Sequence, residues 1–153
     1  MISISRQTDY ACRVILHLAI LPPGERVTAQ DIAERRLIPR AFVRRVITQL
    51  ANAGLLTTTR GVNGGLTLAR PPSEISLLDV VQATEGPLAL NACVVNPQAC
   101  PLMPVCSVHE AWVHARDGLA AELSDATFDR LANPTNIKSQ ISNVKRRRGL
   151  AKS

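Results

Sequence analysis

The first part of the chain carries three segments with helical spacing, and two short strand-like segments follow them. In residues 4–20, apolar side chains recur three and four positions apart, which is typical of a helix packed on one side. The sequence LPPGE ends this segment, because proline and glycine both disfavour helix continuation. Thr28 fits the N-cap of a second helix, with Asp31 three residues on in a loose form of the capping box. A third helix is predicted from Pro39, a good first-turn residue, to Gly54, the expected C-terminal glycine.

The sequence LLTTTRGVNGGLTLAR follows directly and has the pattern of a β-hairpin. Strand-like residues at 55–60 and 66–70 flank GVNGG, a Gly/Asn turn of the kind that joins antiparallel strands. Three helices followed by a hairpin is the element order of a winged helix-turn-helix. We therefore predict a mainly α fold with a small β-hairpin wing.

Charge is distributed unevenly along the chain. Residues 1–70 contain ten Lys/Arg and four Asp/Glu, residues 71–130 contain two and eight, and residues 131–153 contain six and none. A basic first half beside an acidic middle favours a polyanion as the partner of the first half. The alternative is that the basic balance serves solubility alone.

The third helix is predicted to have one apolar and one basic face. The apolar face consists of Phe42, Val43, Val46, Ile47 and Leu50. In a winged helix-turn-helix this helix enters the major groove, and the hairpin touches the flanking backbone or the minor groove. We expect double-stranded DNA to be contacted by Arg40, Arg44, Arg45 and Thr48 of the helix and by Arg60 and Asn63 of the wing.

Two further helices are predicted after the wing. The sequence ISLLDVVQATEG forms the first and ends at Gly86, and a long helix runs from near Ser107 to about Leu123. One stripe of the long helix holds Val108, Ala111, Trp112, Ala115, Leu119 and Leu123. A second copy of the chain is the simplest partner for this stripe, which makes it a dimerisation helix of a homodimer. Packing on the chain's own fourth helix is the alternative, and both can hold.

These observations divide the chain into three parts. Residues 1–72 are predicted to form the winged helix-turn-helix DNA-binding domain, and residues 73–132 the cysteine-rich loop and dimerisation helices. Residues 133–153 form a basic tail that we expect to be disordered. There is no apolar run of about 18 residues and no recognisable secretion signal, so we expect a cytoplasmic protein without a membrane partner. The sequence contains no common catalytic motif, and we expect no enzyme activity.

The segment CVVNPQACPLMPVCSVHE has an unusual set of metal-binding residue types. Cys93, Cys100, Cys106 and His109 are spaced C-x6-C-x5-C-x2-H. Zinc sites usually contain close pairs such as C-x2-C, whereas single cysteines spread along a loop can surround a larger iron–sulfur cluster. A structural zinc site and a thiol oxidoreductase remain alternatives at this point. Cys12 lies apart in the first helix and is predicted to be a small core residue.

Four separate motifs together resemble the IscR/NsrR-type family of winged-helix regulators. They are TDYA at 8–11, RGVNGGLTLAR at 60–70, SLLDVVQATEG at 76–86, and the three cysteines with HEAW. The resemblance covers roughly residues 1–132. It implies a homodimeric transcriptional regulator, most often a repressor, that binds an iron–sulfur cluster and responds to iron–sulfur status, redox state or nitric oxide.

The resemblance also implies a ligand set. Cys93, Cys100 and Cys106 match the cluster cysteines, and His109 in CSVHEAW matches the fourth ligand of the iron–sulfur-biogenesis regulator. In the nitric-oxide sensor an aspartate of the first helix, from the other subunit, takes that place, and Asp9 is its counterpart here. We favour His109 with a [2Fe–2S] cluster and keep [4Fe–4S] as the alternative, because the C-x6-C gap is slightly longer than in either relative. Arg60 matches the arginine with which such wings enter the minor groove.

Overall fold

The computed structural model describes residues 3–133 and 135, so most of the predicted basic tail lies outside the described residues. The helices are α1 (Arg6–Ile20), α2 (Ala29–Arg35), α3 (Arg40–Asn52), α4 (Leu77–Glu85), α5 (Ala92–Val95), α6 (Ser107–Asp125) and α7 (Phe128–Ala132). The strands are β1 (Leu56–Thr59) and β2 (Gly65–Leu68), and short 3-10 turns occur at Pro72–Glu74, Pro97–Ala99 and Met103–Val105. The mainly α fold with a β-hairpin wing is confirmed.

Side-chain caps explain where several helices begin. The hydroxyl of Thr28 accepts a hydrogen bond from the amide of Asp31, as the capping pattern predicted. Ser76 and Asp79 form a complete capping box at α4, which ends at Gly86 with a φ of 85°. The predicted start of the third helix was one residue early. Pro39 has extended backbone with ψ 138°, so it is the N-cap and α3 begins at Arg40.

The core is centred on α1, which packs against α3, α4, α7 and β2. Ala11, Val14 and Ile15 of this helix are fully buried. The same core cluster includes Ile75 and Phe128. The first three helices and the segments after the wing therefore share one hydrophobic core.

The wing is an antiparallel hairpin in which Leu56 pairs with Leu68 and Thr59 pairs with Gly65. Leu66 also forms an antiparallel bridge to Val27, and its amide donates to the Val27 carbonyl oxygen at 2.8 Å. The connection between α1 and α2 thus pairs with β2 at one position beside the wing. This bridge fixes the base of the hairpin to the helical part of the domain.

The long helix α6 packs against α4 and α5, and none of its residues is fully buried. The predicted stripe is split between two surroundings. Trp112, Leu119 and Leu123 are half-buried, whereas Val108 and Ala115 are exposed. Packing on the chain's own fourth helix therefore occurs. Within residues 3–133 and 135, no helix has both the length and the hydropathy needed to cross a membrane.

Candidate cysteine centre and nucleic-acid interface

The cysteine segment folds as a series of short turns between α4 and α6. The side chain of Asn91 caps α5 by accepting from the amide of Ala92 at 2.8 Å. The side chain of Asn96 accepts from the amide of Gln98 at 3.1 Å and caps the 3-10 turn Pro97–Ala99. Each turn changes the direction of the chain within a few residues. The three cysteines of this segment are therefore able to line one cavity.

All four predicted ligands line one cavity of about 230 Å³ at the start of α6. The cavity is lined by Asn91, Ala92, Cys93, Ala99, Cys100, Cys106, Val108, His109 and Trp112. Cys106 is the N-cap of α6 and His109 lies in its first turn, where the His109 amide donates to the Cys106 carbonyl oxygen at 3.1 Å. The x2 spacing thus places these two side chains one helical turn apart, as the sequence suggested.

Two of these side chains are in direct contact. The Nδ1 atom of His109 lies 3.4 Å from the Sγ atom of Cys93, which joins α5 to the first turn of α6. All four cysteines of the chain are free thiols. Among the described residues, no three Cys, His, Asp or Glu side chains are grouped so that they could hold a metal ion. The donors surround a space and do not converge on one point.

Asp9 and Cys12 both lie on α1, away from this cavity. The carboxylate of Asp9 forms an ion pair with Arg13 at 2.7 Å, and it is not among the residues that line the cavity. Burial raises the pKa of the Cys12 thiol to about 11, and the nearby charge of Asp9 adds to the shift. Cys12 is thus a poorly ionised thiol packed against the core, as predicted.

The predicted major-groove residues lie on the open side of α3. Arg40, Arg44, Arg45 and Thr48 are all exposed, while Val46, Ile47 and Leu50 on the opposite side are buried. The Thr48 hydroxyl donates to the carbonyl oxygen of Arg44 at 3.0 Å. The lone pairs of the Thr48 hydroxyl oxygen therefore remain able to accept a hydrogen bond from another molecule. Phe42, predicted on the apolar face, lies at its edge and is partly exposed, with its ring 5.3 Å from that of Tyr10.

The tip of the wing presents the other two predicted residues to solvent. Arg60 and Asn63 are both exposed in the loop between β1 and β2. The guanidinium of Arg26 donates to the Asn63 carbonyl oxygen at 2.6 Å and so braces the loop from the α1–α2 connection. Gly64 is required there, because a Cβ at this position would overlap the backbone of Thr59.

Comparisons with known proteins agree with this architecture. Residues 4–134 match the family model described as "Rrf2: Iron-dependent Transcriptional regulator". The chain belongs to the Rrf2 family. It is 35% identical over 130 residues to Protein aau3 of Rhizobium meliloti (strain 1021), covering 84% of this chain and 83% of that protein. The resemblance to IscR/NsrR-type regulators is thereby confirmed, and the chain is a transcriptional regulator of the DNA-binding class.

Solved structures of Rrf2 regulators have the same fold. CymR (YrzC), the global cysteine regulator of B. subtilis, superimposes with a TM-score of 0.71 at 26% identity, over 86% of this chain and 97% of that one. The T. potens IscR structure gives a TM-score of 0.67 at 24% identity, over 85% of this chain and 86% of that one. At that identity, the likeness to T. potens IscR concerns the fold alone.

A hydrogen-bonded link that the sequence pattern did not predict joins α1 to the end of α4 in this Rrf2 chain. Glu85 accepts from the backbone amide of Ser5 at 3.0 Å and from the hydroxyl of Thr8. These bonds, from Ser5 first and then from Thr8, lower the pKa of the Glu85 carboxyl. Thr8 is fully buried, and its hydroxyl also lies 2.7 Å from that of Thr84. The link stands immediately before the segment that leads to the cysteines.

Proposed function

We propose that this chain is a homodimeric Rrf2 regulator whose affinity for operator DNA is set by an iron–sulfur cluster held by Cys93, Cys100, Cys106 and His109. The observation that carries the proposal is the single cavity lined by all four side chains. Its action as a repressor follows the resemblance to the family. The predicted cytoplasmic location is part of the same proposal.

The donor set fits a cluster by its chemistry and by its arrangement. Thiolates are the usual protein ligands of iron–sulfur clusters, and an imidazole is an accepted partner that shifts the reduction potential. Four donors around about 230 Å³ leave room for a group of several atoms, since one water takes up about 30 Å³ of liquid. When bound, the cluster would supply a centre that reacts with oxidants and nitric oxide. The residues present favour [2Fe–2S] with His109, and [4Fe–4S] with Asp9 of the partner subunit is the alternative.

The residues of the chain would act as positioned ligands. His109 is held by α6, and Cys106 begins the same helix, so their separation is fixed by helix geometry. Cys93 lies in the short helix α5 and Cys100 directly follows the 3-10 turn Pro97–Ala99, so both can adjust to a bound group. Trp112 lines the same cavity and would limit access of water to it. Loss of the bound group would free the turns while α6 kept its place.

The proposed DNA face combines the exposed side of α3 with the wing tip. Arg40, Arg44, Arg45 and Thr48 would contact the major groove and its phosphates. Arg60 and Asn63 would contact the flanking minor groove or backbone. Exposure of all six side chains on two adjacent elements supports this assignment.

A second copy of the chain is the proposed partner of α6. A groove of about 470 Å³ runs between this helix and the segment after α4, and it is lined by Ile4, Leu88, Leu90, Leu119 and Leu123 among others. Ile4 is 55% exposed and Val108 is 58% exposed. Apolar side chains that remain exposed in this groove, such as Ile4, and on the long helix, such as Val108, are what a symmetric dimer interface would cover.

A contiguous set of contacts joins the cysteine cavity to the DNA face. Residues 86–91 run from α4 along α6 to α5. Glu85, directly before them, accepts hydrogen bonds from Ser5, the N-cap of α1, and from Thr8 in its first turn. The side chain of Gln7, in the same turn, is hydrogen-bonded to Gln49 of α3. We propose that a change in the turns around the cysteines shifts these contacts and alters the position of α3.

The metal content of the anaerobically purified protein tests the proposal. We expect a coloured protein with visible charge-transfer absorption and matching amounts of iron and sulfide. A colourless protein with stoichiometric zinc would instead support a structural zinc site. A protein without metal would contradict the proposed cluster.

Two matched variants then identify the fourth ligand. With His109→Ala we expect an altered or lost cluster spectrum, and with Asp9→Ala an unchanged one. The reverse result would make Asp9 the ligand and favour [4Fe–4S]. If neither variant changes the spectrum, the proposed ligand set is wrong.

A further inference from the structure

The turn between α2 and α3 is held by hydrogen bonds to side chains of α1. Arg36, the C-cap of α2, donates from its Nε atom to the Nδ1 atom of His17 at 3.0 Å. The carbonyl oxygen of the same Arg36 accepts from the guanidinium of Arg13 at 3.1 Å. Both the side chain and the backbone of Arg36 are thus fixed to α1.

The residue after Arg36 explains why such a contact is needed. Leu37 has a φ of 53°, and it is the one non-glycine residue with positive φ among the described residues. A branched side chain in this left-handed region destabilises the backbone, so surrounding contacts must maintain the conformation. Leu37 itself is 80% exposed and contributes little packing of its own. The orientation of α3 relative to α2 therefore depends on how well residue 36 is held.

The hydrogen bond fixes the protonation state of His17. The Nε atom of arginine can only donate, so Nδ1 of His17 must carry a free lone pair and the proton must be on Nε2. His17 is 6% exposed, and its Nε2 atom has no hydrogen-bond partner in the described structure. A protonated His17 would have a hydrogen on Nδ1 facing the Arg36 cation, and the contact would be lost.

We propose that His17 is a positioning residue for DNA binding, which holds the helix-turn-helix turn through Arg36 only while its imidazole is neutral. The contact would be present at neutral pH and released in acid. The recognition helix α3 would then lose its fixed orientation although the fold persists. This inference rests on DNA binding by α3 and does not depend on the cysteine centre.

The charges around His17 favour its neutral form. Burial lowers its pKa below the usual 6.5, and Arg36 and Arg35 lower it further, while Asp31 and Glu25 act in the opposite direction. The pKa of His17 in the native protein therefore lies below 6.5. The effect on DNA binding is expected in that range and not near neutrality.

Two substitutions at position 17 separate positioning from packing. His17→Gln keeps an oxygen that can accept from Arg36 and cannot be protonated in this range. His17→Leu keeps an apolar side chain of similar bulk and removes the acceptor. Arg35→Gln, at the exposed neighbour of Arg36, removes a cation that lowers the His17 pKa and leaves the contact between Arg36 and His17 in place.

The test is the affinity for a DNA duplex that the wild-type protein has selected from a random pool. At pH 7.5 we expect His17→Leu to bind roughly fivefold to tenfold more weakly, which is the size expected for the loss of one typical intramolecular hydrogen bond. His17→Gln and Arg35→Gln should bind like wild type. As the pH is lowered from 6.5 towards 5, wild-type affinity should fall more steeply than that of His17→Gln.

Two results would overturn the inference. One is His17→Leu binding like wild type, and the other is parallel pH profiles for wild type and His17→Gln. If His17→Leu does not fold, the comparison of the pH profiles of wild type and His17→Gln still tests the inference. A variant with a lower melting temperature and unchanged affinity would show a structural role only.

Discussion

The Nδ1 atom of His109 lies 3.4 Å from the Sγ atom of Cys93, which brings the two ends of the cysteine segment together. Because His109 belongs to α6 and Cys93 to α5, this contact closes the segment into a loop around the cavity. A nitrogen donor and a sulfur donor are thus adjacent. The remaining two cysteines lie on the wall of the same space.

Single-cysteine substitutions should distinguish the cysteines that bind the cluster from a cysteine that only packs against the core. We expect Cys93→Ser, Cys100→Ser and Cys106→Ser each to reduce the iron content and visible absorption of anaerobically purified protein. A hard hydroxyl is a poor substitute for a soft thiolate. Cys12→Ser is the matched control and should retain the full spectrum, since Cys12 packs against the core away from the cavity. Full iron content in any of the three test variants would remove that cysteine from the ligand set.

Arginines of the DNA face should contribute to the salt dependence of binding. We expect Arg44→Ala and Arg60→Ala each to reduce the slope of log affinity against log salt by about one, the value for one phosphate contact. Arg70→Ala removes the same charge after the end of β2 opposite the wing tip, where Arg70 faces Asp79 at 4.0 Å. It should leave the slope unchanged. Equal slopes for wild type and Arg60→Ala would refute the assignment of the wing.

The hydrogen bonds of Glu85 should couple the state of the cysteine cavity to the DNA affinity. In Glu85→Ala the hydrogen bonds from Ser5 and Thr8 are lost, while neither the cavity nor the DNA face loses a residue. We therefore expect an unchanged visible spectrum together with a smaller difference in DNA affinity between the loaded and cluster-free states. Glu74→Ala, at an exposed carboxylate of the turn after the wing, is the control. An undiminished difference in Glu85→Ala would show that coupling takes another route.

Local patterns were sufficient to predict the long elements and the position of the cysteine segment between two helices, whereas the ligand set stays a prediction. Periodic apolar residues and capping side chains indicated α1, α2, α3 and α6, and the Gly/Asn turn indicated the wing. The short helix α7 was not predicted, because five residues carry too little periodicity, although Phe128 at its start is 1% exposed. Its place is set by contacts with α1, which are distant in sequence.

Separation in sequence also explains why the contacts between different parts of the fold were not predicted. The bond from Arg36 to His17, the brace from Arg26 to Asn63 and the link at Glu85 all join residues far apart in the chain. A single sequence does not show that any of these residues are paired with one another. The split of the α6 stripe between half-buried and exposed positions likewise depends on how α4 and α5 lie against it.

The most direct test of the central claim is the DNA affinity of one preparation measured with and without its cluster. The duplex is selected from a random pool by loaded and by cluster-free protein separately, and dissociation constants are measured anaerobically at fixed salt. We predict that the two states differ in affinity by roughly fivefold to thirtyfold for at least one selected duplex, which corresponds to about 1–2 kcal/mol of coupling. Equal affinities of the two states for every selected duplex would contradict regulation by the cluster.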